Sequence, residues 1–441
     1  MLAASLLLVC LPCHQQITER WAASPMGNSY GLVDSAGETA GRFTHRASNT
    51  EFQIAPRGGS LELSWRGNRQ RLDFFIGSRR VGRSFGFEED GYLYQAPVGF
   101  YAARRAWDMA PGYEKDKTPD FSRPITPECL SCHASGPGAQ RGTLNRVASL
   151  GAIESIGCDR CHGDGSAHAA RPRRDNIVNP AQLHPRARDS ICEQCHLAGD
   201  VRITQPGRSL NNYRPGADLS DFVAVFIAGA PRRGARVNSH AEALAASRCR
   251  QESGGKLWCG TCHSPHGRAA SYRETCLRCH SCADPKRNSE PCVTCHMPKF
   301  ESSSGGHTTW TDHSIPRRPL GVQPAGSRDL KAYYEGTDTQ RNLGLAYAEL
   351  HQVERAWPLL RAAAKSRPRD PDLYTRIATI LEADGRTAQA IDMYRQSLEL
   401  NPDQYTAVVR LAKLLAGQGS NSEATALERR AKILLPRGSA R

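Results

Sequence analysis

Seven times in this chain two cysteines stand three residues apart with a histidine directly after the second. The units are Cys10-Cys13-His14, Cys129-Cys132-His133, Cys158-Cys161-His162, Cys192-Cys195-His196, Cys259-Cys262-His263, Cys276-Cys279-His280 and Cys292-Cys295-His296. They use fourteen of the 16 cysteines. Two thiols on one helical turn can add across the two vinyl groups of a haem as thioethers, and the adjacent imidazole then lies under the iron as proximal axial ligand. Zinc is the competing use of paired C-x-x-C units. A zinc ribbon does not need His after the second Cys. With 15 His among 441 residues, chance does not place one after seven of eight such units; the eighth, Cys279 to Cys282, overlaps a haem unit. A redox dithiol would show one motif in a βαβ setting, not seven. The expectation is about seven covalently held haem c groups.

Low-spin electron-transfer haems need a second strong ligand, His or Met. Eight His lie outside the motifs: His45, His168, His184, His240, His266, His307, His313 and His351. His168 follows His162 by six residues, and His266 follows His263 by three in His263-Ser264-Pro265-His266. Both are pinned near a haem and are expected to serve a neighbouring one. His307 and His313 flank Thr311-Asp312 just after the last motif, while His240 and His45 have weaker contexts. Met26, in Ser24-Pro25-Met26-Gly27, is the candidate for one His/Met haem. His184 and His351 read as surface residues. Cys249 and Cys282 are left over, and a disulfide between them or two unrelated thiols are equally weighted.

Attachment of haem c takes place outside the cytoplasm, so a periplasmic or extracellular protein is expected. The apolar start Met1 to Val9 lacks a basic n-region and an A-x-A-like cleavage site, so a signal peptide is expected to be missing or truncated in this sequence. No apolar run of 18 residues is present, so no integral membrane span is expected. The net charge of +14 comes from 58 Lys and Arg against 44 Asp and Glu. The basic residues are scattered rather than blocked, which argues against nucleic acid. Seven haems would bring about fourteen propionate charges and balance the polypeptide.

Apolar residues are 39 % and aromatic residues 7 % of the chain, thin for an ordinary core. The fold class expected is multidomain: a haem-cored, loop-rich, mainly α cytochrome-like body with a small β insertion, plus an all-α solenoid. Residues 1–41 hold the first motif and a helix over Gln15 to Ala23. Residues 42–113 read as the β insertion, punctuated by Gly58-Gly59, Gly67-Asn68 and Asp90-Gly91. Residues 114–320 carry six motifs, 321–336 a linker, and 337–436 three repeats. The repeats rest on Pro368, Pro402 and Pro436, spaced by the 34 residues of the tetratricopeptide period. In register with them lie Leu343, Gly344 and Tyr347 with Ala356, Leu360 and Ala363. Ile377, Ala378, Leu381, Ala390, Tyr394 and Ser397 follow, then Leu411, Ala412, Leu415, Ala424 and Ala431. Such a stack offers a concave docking surface for a protein, or else a helical cap on the haem body.

Taken together, the chain resembles the bacterial multihaem cytochromes c with a tetratricopeptide tail, related to tetrahaem cytochrome c-554 and more distantly to multihaem hydroxylamine oxidoreductases. The resemblance rests on Cys10-x-x-Cys13-His14-Gln15 leading to Trp21 and Ser24-Pro25-Met26, and on Cys158-x-x-Cys161-His162-Gly163 with His168. It rests also on Cys259-x-x-Cys262-His263-Ser264-Pro265-His266, and on Cys292-x-x-Cys295-His296-Met297-Pro298 followed by Thr311-Asp312-His313. It implies electron shuttling between redox partner proteins outside the cytoplasm, with distal ligands at His168, His266 and His313. The alternative is an enzyme that keeps one haem five-coordinate for nitrite, hydroxylamine or a peroxide. The C-x-x-C-K variant of one multihaem nitrite reductase class is absent. A third reading makes the repeats a scaffold that recruits an enzyme wired by the haem body.

Overall fold

The computed structural model describes residues 6–229, 240–266, 271–281, 291–301, 308–317 and 329–437. Cys282 and His307 lie outside them, and with them the Cys249–Cys282 pairing and the His307 ligand.

The β-rich unit is two antiparallel sheets packed face to face. One is a meander of Gly41–His45, Thr50–Arg57, Ser60–Trp65 and Asn68–Leu72; the other orders Tyr30–Leu32, Phe74–Ile76, Gly82–Glu89, Tyr92–Tyr101 and Ala106–Met109. Alternation explains the pairing: Phe52, Ile54, Leu61 and Leu63 point inward from the first sheet and meet Phe75, Phe85, Phe87 and Val98 of the second in one buried cluster. Three hairpins turn in two residues, Arg57 pairing with Ser60, Trp65 with Asn68 and Glu89 with Tyr92. Both central residues of each turn have positive φ (Gly58-Gly59, Arg66-Gly67, Asp90-Gly91), the conformation that matches the strand twist. The second turn sits one residue earlier than the Gly-Asn signal suggests. The strand Tyr30–Leu32 also joins the unit, ahead of the expected boundary at 42.

The expectation of a mainly α body is corrected. Among the described residues strands are as numerous as α-helices, and the haem-motif region carries its own sheet of Val201–Thr204, Val223–Ala228 and Leu330–Ala332. The last strand falls inside the expected linker. It pairs with Val223–Ala228 and leads straight into the repeats, so the body and the solenoid share a sheet.

The repeats are three helix pairs: Gln340–Glu349 with Val353–Ala364, Pro371–Ala383 with Thr387–Leu400, and Tyr405–Gly417 with Asn421–Leu434. Small residues set the crossings. A Cβ on Gly344 would stand 2.8 Å from a Leu360 methyl, and Ala356, Ala378 and Ala390 are fully buried. One cluster runs from Val201, Ile203 and Phe226 of the sheet through Leu345 and Leu360 to Leu415. Buried Arg341 ties the first helix to the second repeat through Asp370, at 2.6 Å, and to the body through the Thr204 carbonyl. The far end is anchored as well. Leu435 enters the core of the β unit, the Leu144 amide donates to the Leu434 carbonyl at 2.9 Å, and Arg437 pairs with Glu89.

Candidate haem-binding site

Each motif sits on a short helix or at its end, as in Pro127–His133, Asp159–His162, Pro185–His196, Cys259–Cys262 and Cys292–His296. Residues three apart on a helix share a face, so both sulfurs of a unit project together. The first unit lies in the longer helix Leu6–Ala22, which kinks at His14 (φ −120°, ψ 37°). That break turns the imidazole out of the helical path.

All seven units line one continuous cavity of about 4760 Å³. Single-ligand pockets hold roughly 300–1,000 Å³, and protein interiors otherwise pack without voids. The wall is apolar in character. Of the large hydrophobic side chains that stand exposed among the described residues, Val9, Ile17, Val81, Tyr272 and Leu277 all face this cavity. His133 and His196 present exposed ring surface to this cavity. An apolar, planar group held by the cysteines fits that lining.

The imidazoles give the sharper test. A metal–imidazole bond of about 2 Å on each face of an iron places two ring centroids roughly 6 Å apart. The ring centroids of His14 and His168 lie 6.4 Å apart with 16° between planes, those of His162 and His266 5.9 Å apart with 12°, and those of His263 and His313 6.1 Å apart with 30°. His196 meets His240 at 5.5 Å. Each of these four pairs joins a motif His to a His from outside the motifs. Two of the outside partners, His240 and His313, also touch edge-on at 4.7 Å.

Ring orientation is fixed from behind. The Nδ1 of His162 lies 2.7 Å from the Val178 carbonyl, that of His296 3.0 Å from Pro316 and that of His313 2.8 Å from Thr311. His168 Nδ1 lies 3.0 Å from the Arg173 carbonyl and 3.1 Å from the Asn176 side chain. A carbonyl accepting from Nδ1 leaves Nε2 as the free donor to a metal. Burial lowers His196 to about 4 and His240 to about 3, and it shifts His133, His263, His266 and His313 down as well. The neutral form that binds metal is therefore the resting one.

Other sequence candidates are placed differently. His45 is buried in the β unit, Nδ1 2.8 Å from Ser48 and Nε2 3.0 Å from the Glu114 carbonyl, and it does not line the cavity. Both nitrogens are committed, so it is not brought to the other ligands. His184 precedes the helix Pro185–His196 and His351 follows Gln340–Glu349 in a left-handed turn; both are exposed and neither lines the cavity. Met26 does line it. Among the described residues no imidazole faces His133, His280 or His296.

Sequence reasoning missed the parts that hold the motifs in place. The carbonyls of Val178 and Thr311 carry no sequence signal. Glu193, between two motif cysteines, accepts from Tyr333 at 2.8 Å and Tyr334 at 2.9 Å, tying the fourth motif to the entry of the repeats. Its burial raises its pKa despite those donors. Cysteines of different motifs are neighbours: Cys132 by Cys195, Cys10 by Cys158, Cys192 by Cys259 and Cys276 by Cys292.

Two family models match the chain. Residues 103–163, which contain the second and third motifs, match cytochrome c554 and c-prime; residues 381–431 match a tetratricopeptide repeat. Among solved structures, MamA AMB-1 in its C2221 form is 27 % identical over 22 % of this chain and 56 % of its own, with a TM-score of 0.20. MamA MSR-1 in its C2 form is 28 % identical over 23 % of this chain and 57 % of its own, also at 0.20. The chain thus spans little more than half of either of these MamA chains. The outer cell wall cytochrome OcwA is 14 % identical over 96 % of this chain and 98 % of its own, with a TM-score of 0.43. No curated protein matches. What the two family matches support is a cytochrome that carries haem c in its body and ends in tetratricopeptide repeats.

Proposed function

We propose that this protein is an exported electron carrier holding seven haem c groups, with the repeats as its site for protein docking. The observation that carries the reading is the set of facing imidazole pairs at 5.5 to 6.4 Å inside one cavity lined by every motif. Haem c supplies one-electron chemistry. The cysteines hold it covalently. His14, His162, His196 and His263 would hold haem iron together with His168, His266, His240 and His313; His133, His280 and His296 would hold it in the remaining units. Carbonyls behind the rings lock the tautomer, and the apolar wall excludes water, so that ligand and burial set each potential. Attachment through thioethers assigns the protein to the periplasm or the cell exterior, with redox proteins as partners.

A second reading is favoured by three proximal candidates that face no imidazole among the described residues. One of them could keep an open iron and convert a small nitrogen compound or peroxide. The visible spectrum of oxidised and reduced holoprotein, with and without carbon monoxide, decides. Sharp c-type bands unmoved by carbon monoxide establish the carrier. A shift of about one haem in seven puts the enzyme first. Protein matured by a competent export pathway without haem bands overturns both.

A further inference from the structure

We infer that Met26 is the distal iron ligand of the haem at Cys129-Cys132-His133, not of the haem at the motif that precedes it in sequence. This rests on the haem reading above. Met26 comes twelve residues after His14 in the chain, so sequence proximity would give it to the first motif. Yet His14 already faces His168, and His162, His196 and His263 each face a histidine of their own.

The loop that carries Met26 is pinned against the second motif. The Ser29 amide donates to the Met26 carbonyl at 3.2 Å, and the Ser29 hydroxyl donates to the His133 carbonyl at 2.7 Å. The same hydroxyl accepts from the Ile156 amide, while the Trp21 indole donates to the Ile156 carbonyl at 2.9 Å. Asn28 closes the loop on the carbonyls of Ala22 and Ser24, and a Cβ on Gly27 would collide with the Trp21 carbonyl. The segment is therefore tethered through Ser29 to the last residue of the second motif, and Met26 lines the cavity. Of the other described methionines, Met109 is buried in the β unit, Met393 packs in the repeats, and Met297 follows His296 directly. A thioether is a soft, neutral ligand whose effect on haem is a raised potential relative to bis-His ligation.

The test is spectroscopic and uses the holoprotein. Ferric His/Met haem shows a weak near-infrared sulfur-to-iron charge-transfer band that bis-His haem lacks. Wild type should show it at the intensity of one haem in seven. Met26→Ala should abolish it and make one haem bind carbon monoxide. Met26→His should abolish it while all haems stay low-spin and the highest-potential wave of the redox titration moves down. Cys129→Ala with Cys132→Ala, which removes the second haem, should abolish it too. A wild type without the band, a band that survives in Met26→Ala or Met26→His, or one that survives loss of the second haem overturns the assignment while the carrier stands. Absence of all haem bands overturns the carrier reading itself.

Discussion

The β unit and the repeats are built like ordinary proteins; the helices of the last three motifs are not. In the helix Pro371–Ala383 the side chains of Leu373, Tyr374, Ile377, Ala378 and Leu381 are buried among neighbours, and in the β unit Phe52, Leu61, Phe85 and Phe87 are nearly inaccessible. The motif helices Cys259–Cys262, Tyr272–Leu277 and Cys292–His296 bury no residue at all. Side chains there converge on a cavity instead of on each other. The difference separates two sources of order. Two regions gain it from apolar burial within the chain, about 25 cal/mol per Å² of apolar surface. On the proposed reading the third would take it from haem held by its cysteines, as metal domains draw folding free energy from their metal.

The largest test of that contrast is to withhold the haem. In chain produced without haem attachment, residues 240–266, 271–281, 291–301 and 308–317 should lose protection from proteolysis and hydrogen exchange, while the β unit and the repeats keep theirs. Equal loss everywhere would break the comparison. The next test attacks the other side. Leu360→Ala in the repeat core should cost about 2–5 kcal/mol of unfolding free energy, read by chemical denaturation, and leave the haem spectrum unchanged. A spectral change would mean that the two cores are coupled. Third, His266→Ala should open the haem of His162 to carbon monoxide, altering about one seventh of the Soret absorbance and its potential; an unchanged spectrum removes His266 from the ligand set. The smallest effect is expected at the clasp. Arg437 holds the Glu89 carboxyl below its usual range, chiefly by their hydrogen bond. A carboxylate with a depressed folded pKa adds stability that is present above its unfolded pKa and fades as pH falls through the folded one. Both groups are partly exposed, so Arg437→Ala should cost only about 0.2–1 kcal/mol near neutrality, less in high salt. The cost should vanish in acid.

Legibility in the sequence follows the same division. Covalent chemistry is written as residue types at fixed spacing, and all seven motifs are readable from the chain. Packing periodicity is nearly as plain: the 34-residue spacing of Pro368, Pro402 and Pro436 and the crossing residues Gly344, Ala356 and Ala390 follow from it. What the chain does not spell out is tertiary pairing. Nothing local says that His14 meets His168 or that His240 lies against His313. His45 reads like any spare histidine; only the fold shows Ser48 and the Glu114 carbonyl engaging both its nitrogens. The strand Leu330–Ala332 is hidden because three residues of edge pairing leave no periodicity to read.

The anchoring of the solenoid at both ends changes what its curvature means. A stack of repeats fixed at one end behaves as a spring, and each partner can bend it to suit. Here the sheet strand Leu330–Ala332 fastens one end and Leu435 with Arg437 fastens the other. The stack is a strut spanning two fixed points, and its arc is set by the body it braces. A partner must therefore match an existing shape, and any load it applies is delivered to the β unit and to the sheet beside the fourth motif.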